Sequence, residues 1–280
     1  MENKEKFGRL LTKSLAYVFF AAMMLIILFP VYWIIASSLK GKDEIYAIPP
    51  TFLPQHPSFD NFITAITKSD CLRSLGNSVF VSTAAMILTI VVCVCAAYSI
   101  TRLEFKGKRV YFGLIASTQV FPMVVTIVPL YLLFRKVSLY NTHTSLILTY
   151  TAICTPIAFT LLLGYFRDLP KELEEAALID GCGRLRCLLH ILLPIAKPGI
   201  VATGIYIFLN CWQEYLVAVS LIGDRKLYTL TLCLTTFQTE HSVNWGALMA
   251  VSVVIAAPAV VLFFFIEKYF VDSLAGAVKG

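Results

Sequence analysis

An all-α membrane protein with six transmembrane helices is the fold class this sequence predicts, on three observations. First, 58% of the 280 residues are hydrophobic and only 14% are charged, with mean hydropathy +0.78. A soluble domain carries about 25% charged residues, so the main solvent of this chain is lipid. Second, residues 14–39, 74–101, 110–134, 137–166 and 242–266 contain no Asp, Glu, Lys or Arg, and only Glu214 interrupts a sixth such stretch between Pro198 and Asp224. A spanning helix needs about 20 apolar residues. Lipid cannot satisfy free backbone groups, and runs this long do not suit barrel strands. Third, with the N-terminus inside, inner segments hold 15 Lys and Arg residues and outer segments hold 8. That is the positive-inside bias of a chain in the cell membrane with both termini cytoplasmic. The same bias accounts for the net charge of +6, so no nucleic-acid partner is implied.

The first span is expected over 15–37. Lys4, Lys6, Arg9 and Lys13 precede it as they would a signal peptide, but a cleaved signal has an apolar core of only about 7–15 residues. The outer segment 40–73 holds Pro49, Pro50, Pro54 and Pro57, which forbids long helix and leaves room for a short one over 59–67. The second span is expected over 77–100. It ends in a short basic inner loop with Gly107 as its turn residue. The third span is expected over 110–134, carrying Pro122 and Pro129, and the fourth over 144–166, carrying Pro156. Prolines kink spans, and neighbouring helices satisfy the freed carbonyls.

The inner segment 167–197 is the longest polar stretch on its side. Pro170 suits the start of a helix, and Glu172, Glu174 and Glu175 sit where the macrodipole favours carboxylates. Leu173, Ala176 and Ala177 fall at i, i+3 and i+4, a narrow apolar face. Gly181 permits the left-handed turn that ends a helix, and a second short helix is expected to stop at Pro194. The result is a helix-turn-helix lying beside the membrane. The fifth span is expected over 198–221 and the sixth over 245–270. Three regions follow: 1–73 with the first span and outer segment, a core over 74–270, and a tail over 271–280.

The sequence offers little for catalysis. No Gly-x-x-x-x-Gly-Lys loop is present to cradle phosphates. His56, His143, His190 and His241 are scattered, and no cysteines have zinc-ligand spacing. Most of the eight cysteines lie in or beside apolar runs, where they act as small fillers; Cys71 is expected outside, with no obvious mate. The chain reads as a conduit with no cofactor of its own.

One spacing is specific. Glu175-Ala176-Ala177 is followed after three residues by Gly181 and after nine more by Ile191-Leu192-Leu193-Pro194. This matches the EAA loop of ABC importer permeases. Asn77-Ser78, Ala97-Tyr98, Arg102, Gly107 and the closing run 276–280 extend the likeness over nearly the whole chain. The chain resembles the type I permeases of the carbohydrate-uptake group, the subunits of the maltose-transporter kind. The resemblance implies that Glu175, Ala176, Ala177, Asp180, Gly181, Leu193 and Pro194 belong to a coupling helix and its turn. That helix would dock in a cleft of a separate cytoplasmic ATPase, present in two copies and carrying the ATP and magnesium. It also implies a second, homologous permease subunit and an external solute-binding protein that delivers a sugar or oligosaccharide. A glycerol-phosphate or other polyol, or an ion-coupled carrier without an ATPase, remain as alternatives.

At 211–215 the sequence runs Cys-Trp-Gln-Glu-Tyr, where the group more often has Trp-Asn-Glu-Phe, so substrate contacts do not carry over directly. Two readings of this stretch stand. Asn210, Trp212, Gln213 and Glu214 line the translocation path, with Trp212 stacking on a sugar, because an ionisable residue in a span is costly and often faces a cavity. Alternatively they sit at the outer interface, where Trp and Tyr form a belt and Glu214 reaches water.

Overall fold

The computed structural model describes the backbone of residues 2–68, 70–118, 122–239 and 242–277. It describes the side chains of 12–67, 70–108, 110–115, 117–118, 122–239 and 242–264. The helices longer than four residues, in chain order, are α1 (Glu2–Ser38), α2 (Asp60–Lys68), α3 (Cys71–Arg102), α4 (Lys108–Thr118), α5 (Met123–Lys136) and α6 (His143–Asp168). They continue with α7 (Glu172–Ile179), α8 (Arg184–Ile195), α9 (Lys197–Gln213), α10 (Leu216–Leu221) and α11 (Trp245–Ala277). The closing residues Val278, Lys279 and Gly280 lie outside the described residues.

Four helical stretches are long and apolar enough to cross a membrane: Thr12–Ser38, Cys71–Arg102, His143–Asp168 and Trp245–Phe264. A fifth results if α8 and α9, bent by 78° at their junction, count as one span. The expected third span falls on α4 and α5, on either side of residues 119–121, which lie outside the described residues. Pro122 stands immediately before α5, where its missing N–H costs nothing.

The chain divides into two compact units, 1–69 with 234–254 and 70–233 with 255–280. In the first, α1 turns no described side chain inward until its last residues. Phe19, Leu25 and Ile27 are exposed, as lipid-facing residues are, while Ala36, Ser37 and Ser38 are buried. Asn61 of α2 fastens this end by donating to the carbonyls of Ser38 (2.9 Å) and Lys40 (2.8 Å). The ammonium of Lys40 donates to the Thr51 carbonyl and lies 4.5 Å over the Trp33 ring.

The second unit is built on α3 and α6. Val81, Ala85, Cys93 and Ala97 of α3 share one core with Leu146, Tyr150, Ala158, Phe159, Leu162 and Phe166 of α6, completed by Ile207 and Cys211 of α9. Alanines at such contacts let spans approach closely.

Three details correct the sequence reading. The fifth span is not continuous over 198–221: Glu214 has an extended backbone (φ −70°, ψ 132°), and the chain restarts as α10. The cause is its own carboxylate, which accepts from the N–H groups of Val217 (2.9 Å) and Ala218 (3.2 Å) in place of helical carbonyls. Nor does α8 stop at Pro194. A wide π turn over Leu188–Leu192 sends the Leu193 N–H five residues back to the Leu188 carbonyl. That looser turn accommodates a ring that would clash in an α-helix. Finally, Cys71 has a mate: the Sγ of Cys233 lies 3.8 Å away.

Candidate functional site

The polar loop 167–197 carries the site. Its helix α7 begins with Glu172, Glu174 and Glu175 in the first turn. Of these only Glu174 is buried, together with Ala177 one turn on. The seated face of α7 is therefore Glu174 and Ala177, not the Leu173, Ala176 and Ala177 face expected from periodicity; Leu173 and Ala176 are exposed.

The reason lies in the last turn of α3. Tyr98 donates its hydroxyl to Glu174 Oε1 at 2.7 Å, and the Nε of Arg102 stands 3.2 Å from Oε2. Another guanidinium nitrogen of Arg102 donates to the Leu169 carbonyl at 2.8 Å. Tyr98 and Arg102 are four residues apart, so they share one face of α3. The Arg102 and Glu174 side chains are 4% and 10% exposed. Burying an ion pair is costly unless further hydrogen bonds offset desolvation, and here both partners have one. The positive end of the pair also sits at the C-terminus of α3, which favours a cation.

The turn after α7 is a Schellman motif. Gly181 adopts φ +79° and donates to the Leu178 carbonyl (3.1 Å), and the Cys182 N–H reaches back to Ala177 (2.9 Å). A side chain at that φ is strained, which is why glycine stands there. Asp180, the preceding residue, is exposed. Beyond the turn Cys187, Leu188 and Leu192 are buried, Ile191 and Leu193 are half-buried and Pro194 is exposed.

The outward side of the loop is apolar. Ile179 is 86% exposed and Leu185 is 69% exposed, with Leu173 and Leu178 partly so. Glu175 and Ala176 lie on the exposed side of the same helix.

The second group separates into two kinds. Trp212 is 2% exposed, stacks on Phe208 (centroids 5.7 Å, planes 20° apart) and donates Nε1 to the Ile255 carbonyl at 3.0 Å. Glu214 is half-buried and accepts from the Tyr150 hydroxyl at 2.9 Å as well as from the α10 backbone. Asn210 and Gln213 are exposed, Asn210 donating to the Tyr206 carbonyl (2.9 Å). Among the described residues no three His, Cys, Asp or Glu side chains gather as metal ligands.

Sequence reasoning missed the role of Glu174, reading it as one of three macrodipole carboxylates. Tyr98 and Arg102 entered only as points of resemblance. The available signal was their spacing of four at the inner end of a span, one donor and one cation short of an acceptor.

Comparison with known proteins agrees with this architecture. Residues 89–276 match the family of inner membrane components of binding-protein-dependent transport systems. The chain is 35% identical to the sulfoquinovosyl glycerol transport system permease SmoH of Agrobacterium fabrum, over 94% of this chain and 93% of that one. It is 32% identical to the diacetylchitobiose uptake system permease DasC of Streptomyces coelicolor, over 99% and 100%. It is 30% identical to the trehalose/maltose transport system permease MalG of Thermococcus litoralis, over 92% and 94%. A chain of a crystal structure of a bacterial ABC transporter, involved in import of the acidic polysaccharide alginate, superposes with a TM-score of 0.83. It covers 93% of this chain and 96% of that one at 21% identity, and so speaks to the fold alone. The chain belongs to the family of binding-protein-dependent transport system inner membrane components and is a permease of an ABC importer.

Proposed function

We propose that the 167–197 loop is the element through which a separate ATPase drives this permease, and that the cargo is a sugar or oligosaccharide. One observation carries the coupling role: α7, anchored from within by Glu174, presents Ile179 to the outside, and Leu185, just beyond the turn at the start of α8, is exposed as well. The anchor Glu174 and the exposed Ile179 lie on the same short helix, so a push on one must move the other. Glu175, Ala176, Ala177, Asp180 and Gly181 form that helix and its turn. Leu193 and Pro194 lie in the last turn of the second helix, before the 78° bend into α9. Two copies of a cytoplasmic ATPase, carrying ATP and magnesium, supply the push, and this chain adds no catalytic group.

The importer is completed by a second homologous permease and an external solute-binding protein. Both termini are cytoplasmic, and α4 with α5 makes the sixth span. The cargo class is supported by the relatives, whose names speak of sulfoquinovosyl glycerol, diacetylchitobiose, trehalose/maltose and arabinooligosaccharides. Of the four candidate path residues, Asn210 and Gln213 meet the cargo, while Trp212 and Glu214 hold the end of α9 that presents them.

The test is capture of partners. The tagged chain, extracted in mild detergent from its own cells, should bring a second permease and an ATPase with vanadate-sensitive ATP hydrolysis. Recovery of the chain alone, repeated after crosslinking in intact cells, would refute the coupling reading.

A further inference from the structure

The two cysteine pairs of the second unit look alike but stand in different places. Cys154 and Cys211 approach to 3.9 Å between sulfurs, and Cys71 and Cys233 to 3.8 Å. Cys154 lies about 17 Å from the start of α6 and about 21 Å from its end at 1.5 Å per residue, inside a hydrocarbon layer about 30 Å thick. Cys71 is the first residue of α3, a helix of 32 residues. At the same rise α3 is about 48 Å long. Its other end is tied to the polar loop by Arg102, so Cys71 falls beyond the hydrocarbon on the opposite side. Its neighbours agree: Asp70 and Arg73, either side of it, are 4.0 Å apart with side chains at least half exposed.

The approach of Cys233 to Cys71 is held by the surrounding backbone. Asn77 donates to the carbonyls of Lys226 (2.9 Å) and Tyr228 (3.0 Å), and the Leu230 N–H donates to Ser78 Oγ (2.7 Å). The segment 226–233 is thereby stitched to the first turns of α3.

We propose that Cys71 and Cys233 are a dithiol/disulfide pair on the outer face, closed by exchange with a disulfide oxidant of that compartment. This rests on the orientation proposed above. The outer face is the oxidising side of a cell membrane. The Cys71 thiolate attacks one sulfur of the oxidant, giving a mixed disulfide and expelling a thiolate. The Cys233 thiolate then attacks the Cys71 sulfur and expels the second. Two protons leave the cysteines, the pair loses two electrons and the oxidant gains them. Closure fixes the outer end of α3 to the segment that follows the Glu214 break. Cys154 and Cys211, shielded by lipid, stay reduced.

The experiment uses intact cells, first reduced and washed, then given oxidised glutathione, which does not cross the membrane. Remaining thiols are blocked with N-ethylmaleimide, and peptides are mapped without reduction. The expected result is a Cys71–Cys233 linked peptide, lighter by two hydrogens and opened by dithiothreitol, with Cys154 and Cys211 unlinked. C211S should retain the link and C71S should abolish it. Blocked thiols at both Cys71 and Cys233, or a glutathione adduct at Cys71 that never resolves, would overturn the pairing. A link formed only after lysis would overturn the outer-face assignment, whatever the partner capture shows.

Discussion

Arg102, the last residue of α3, stands 3.2 Å from Glu174 in the first turn of α7, both side chains nearly excluded from solvent. A span and the polar loop beyond it are thereby joined by charge as well as by packing. Removing Glu174 alone leaves a buried guanidinium without its counter-charge. Glu174→Ala should therefore cost about 3–5 kcal/mol, read as a lower thermal midpoint in detergent. Replacing both residues by methionine should cost less than Glu174→Ala, because a buried pair exchanged for apolar groups is often near neutral. A double variant as unstable as the single one would contradict the pairing. Its uptake should nevertheless fall, since the anchor is gone.

At Gly181 the backbone sets the outcome. Its φ of +79° makes Gly181→Ala cost about 1–2 kcal/mol with uptake reduced. Gly181→Pro also removes the N–H that bonds Leu178 and should leave an inserted chain without transport. Radiolabelled uptake, with membrane insertion checked by immunoblot, separates the two.

Ala177 is 6% exposed beside Glu174. Ala177→Asp places a second carboxylate in a pocket that holds one guanidinium, so the inner face of α7 should be expelled. Protease cleavage within 167–197 should accelerate, with the spans intact; unchanged cleavage would argue against this seating.

Glu214 is bound on three sides, by Tyr150, Val217 and Ala218. Glu214→Ala strands these donors at about 1–3 kcal/mol for each one that water cannot reach. Tyr150→Phe removes only one of the three donors and should be milder. If Glu214→Ala kept full stability and lost only cargo affinity, Glu214 would be a cargo ligand and not a cap.

The start of α9 has no room for a side chain. A Cβ at Gly199 would lie 2.3 Å from Cγ of Tyr165, so Gly199→Ala must displace the Tyr165 ring from its seat against α9, at about 1–3 kcal/mol. Gly199→Ala combined with Tyr165→Ala should recover stability, measured as thermal midpoints.

The spans expected over 77–100 and 144–166 were legible because their signal is local. Charges bracket 74–101 and 137–166, and helices Cys71–Arg102 and His143–Asp168 occupy them. The Gly181 turn was legible for the same reason, since glycine after a short amphipathic run permits few outcomes. Which face of α7 seats was not legible. Periodicity weighs Leu173 and Ala176 as apolar, but one buried guanidinium on a distant helix outweighs both. The break at Glu214 was hidden likewise, because its cause is a hydroxyl from α6 and a carboxylate folded onto its own chain. The mate of Cys71 could not be inferred from spacing, for Cys233 arrives from the far end of the core.

A photocrosslinking amino acid at position 179 probes whether the outward face of α7 meets an ATPase. Illumination of intact membranes should join this chain to a cytoplasmic ATPase subunit, with less adduct when ATP and vanadate hold the ATPases in another state. Adducts to lipid alone, with uptake intact, would contradict that contact.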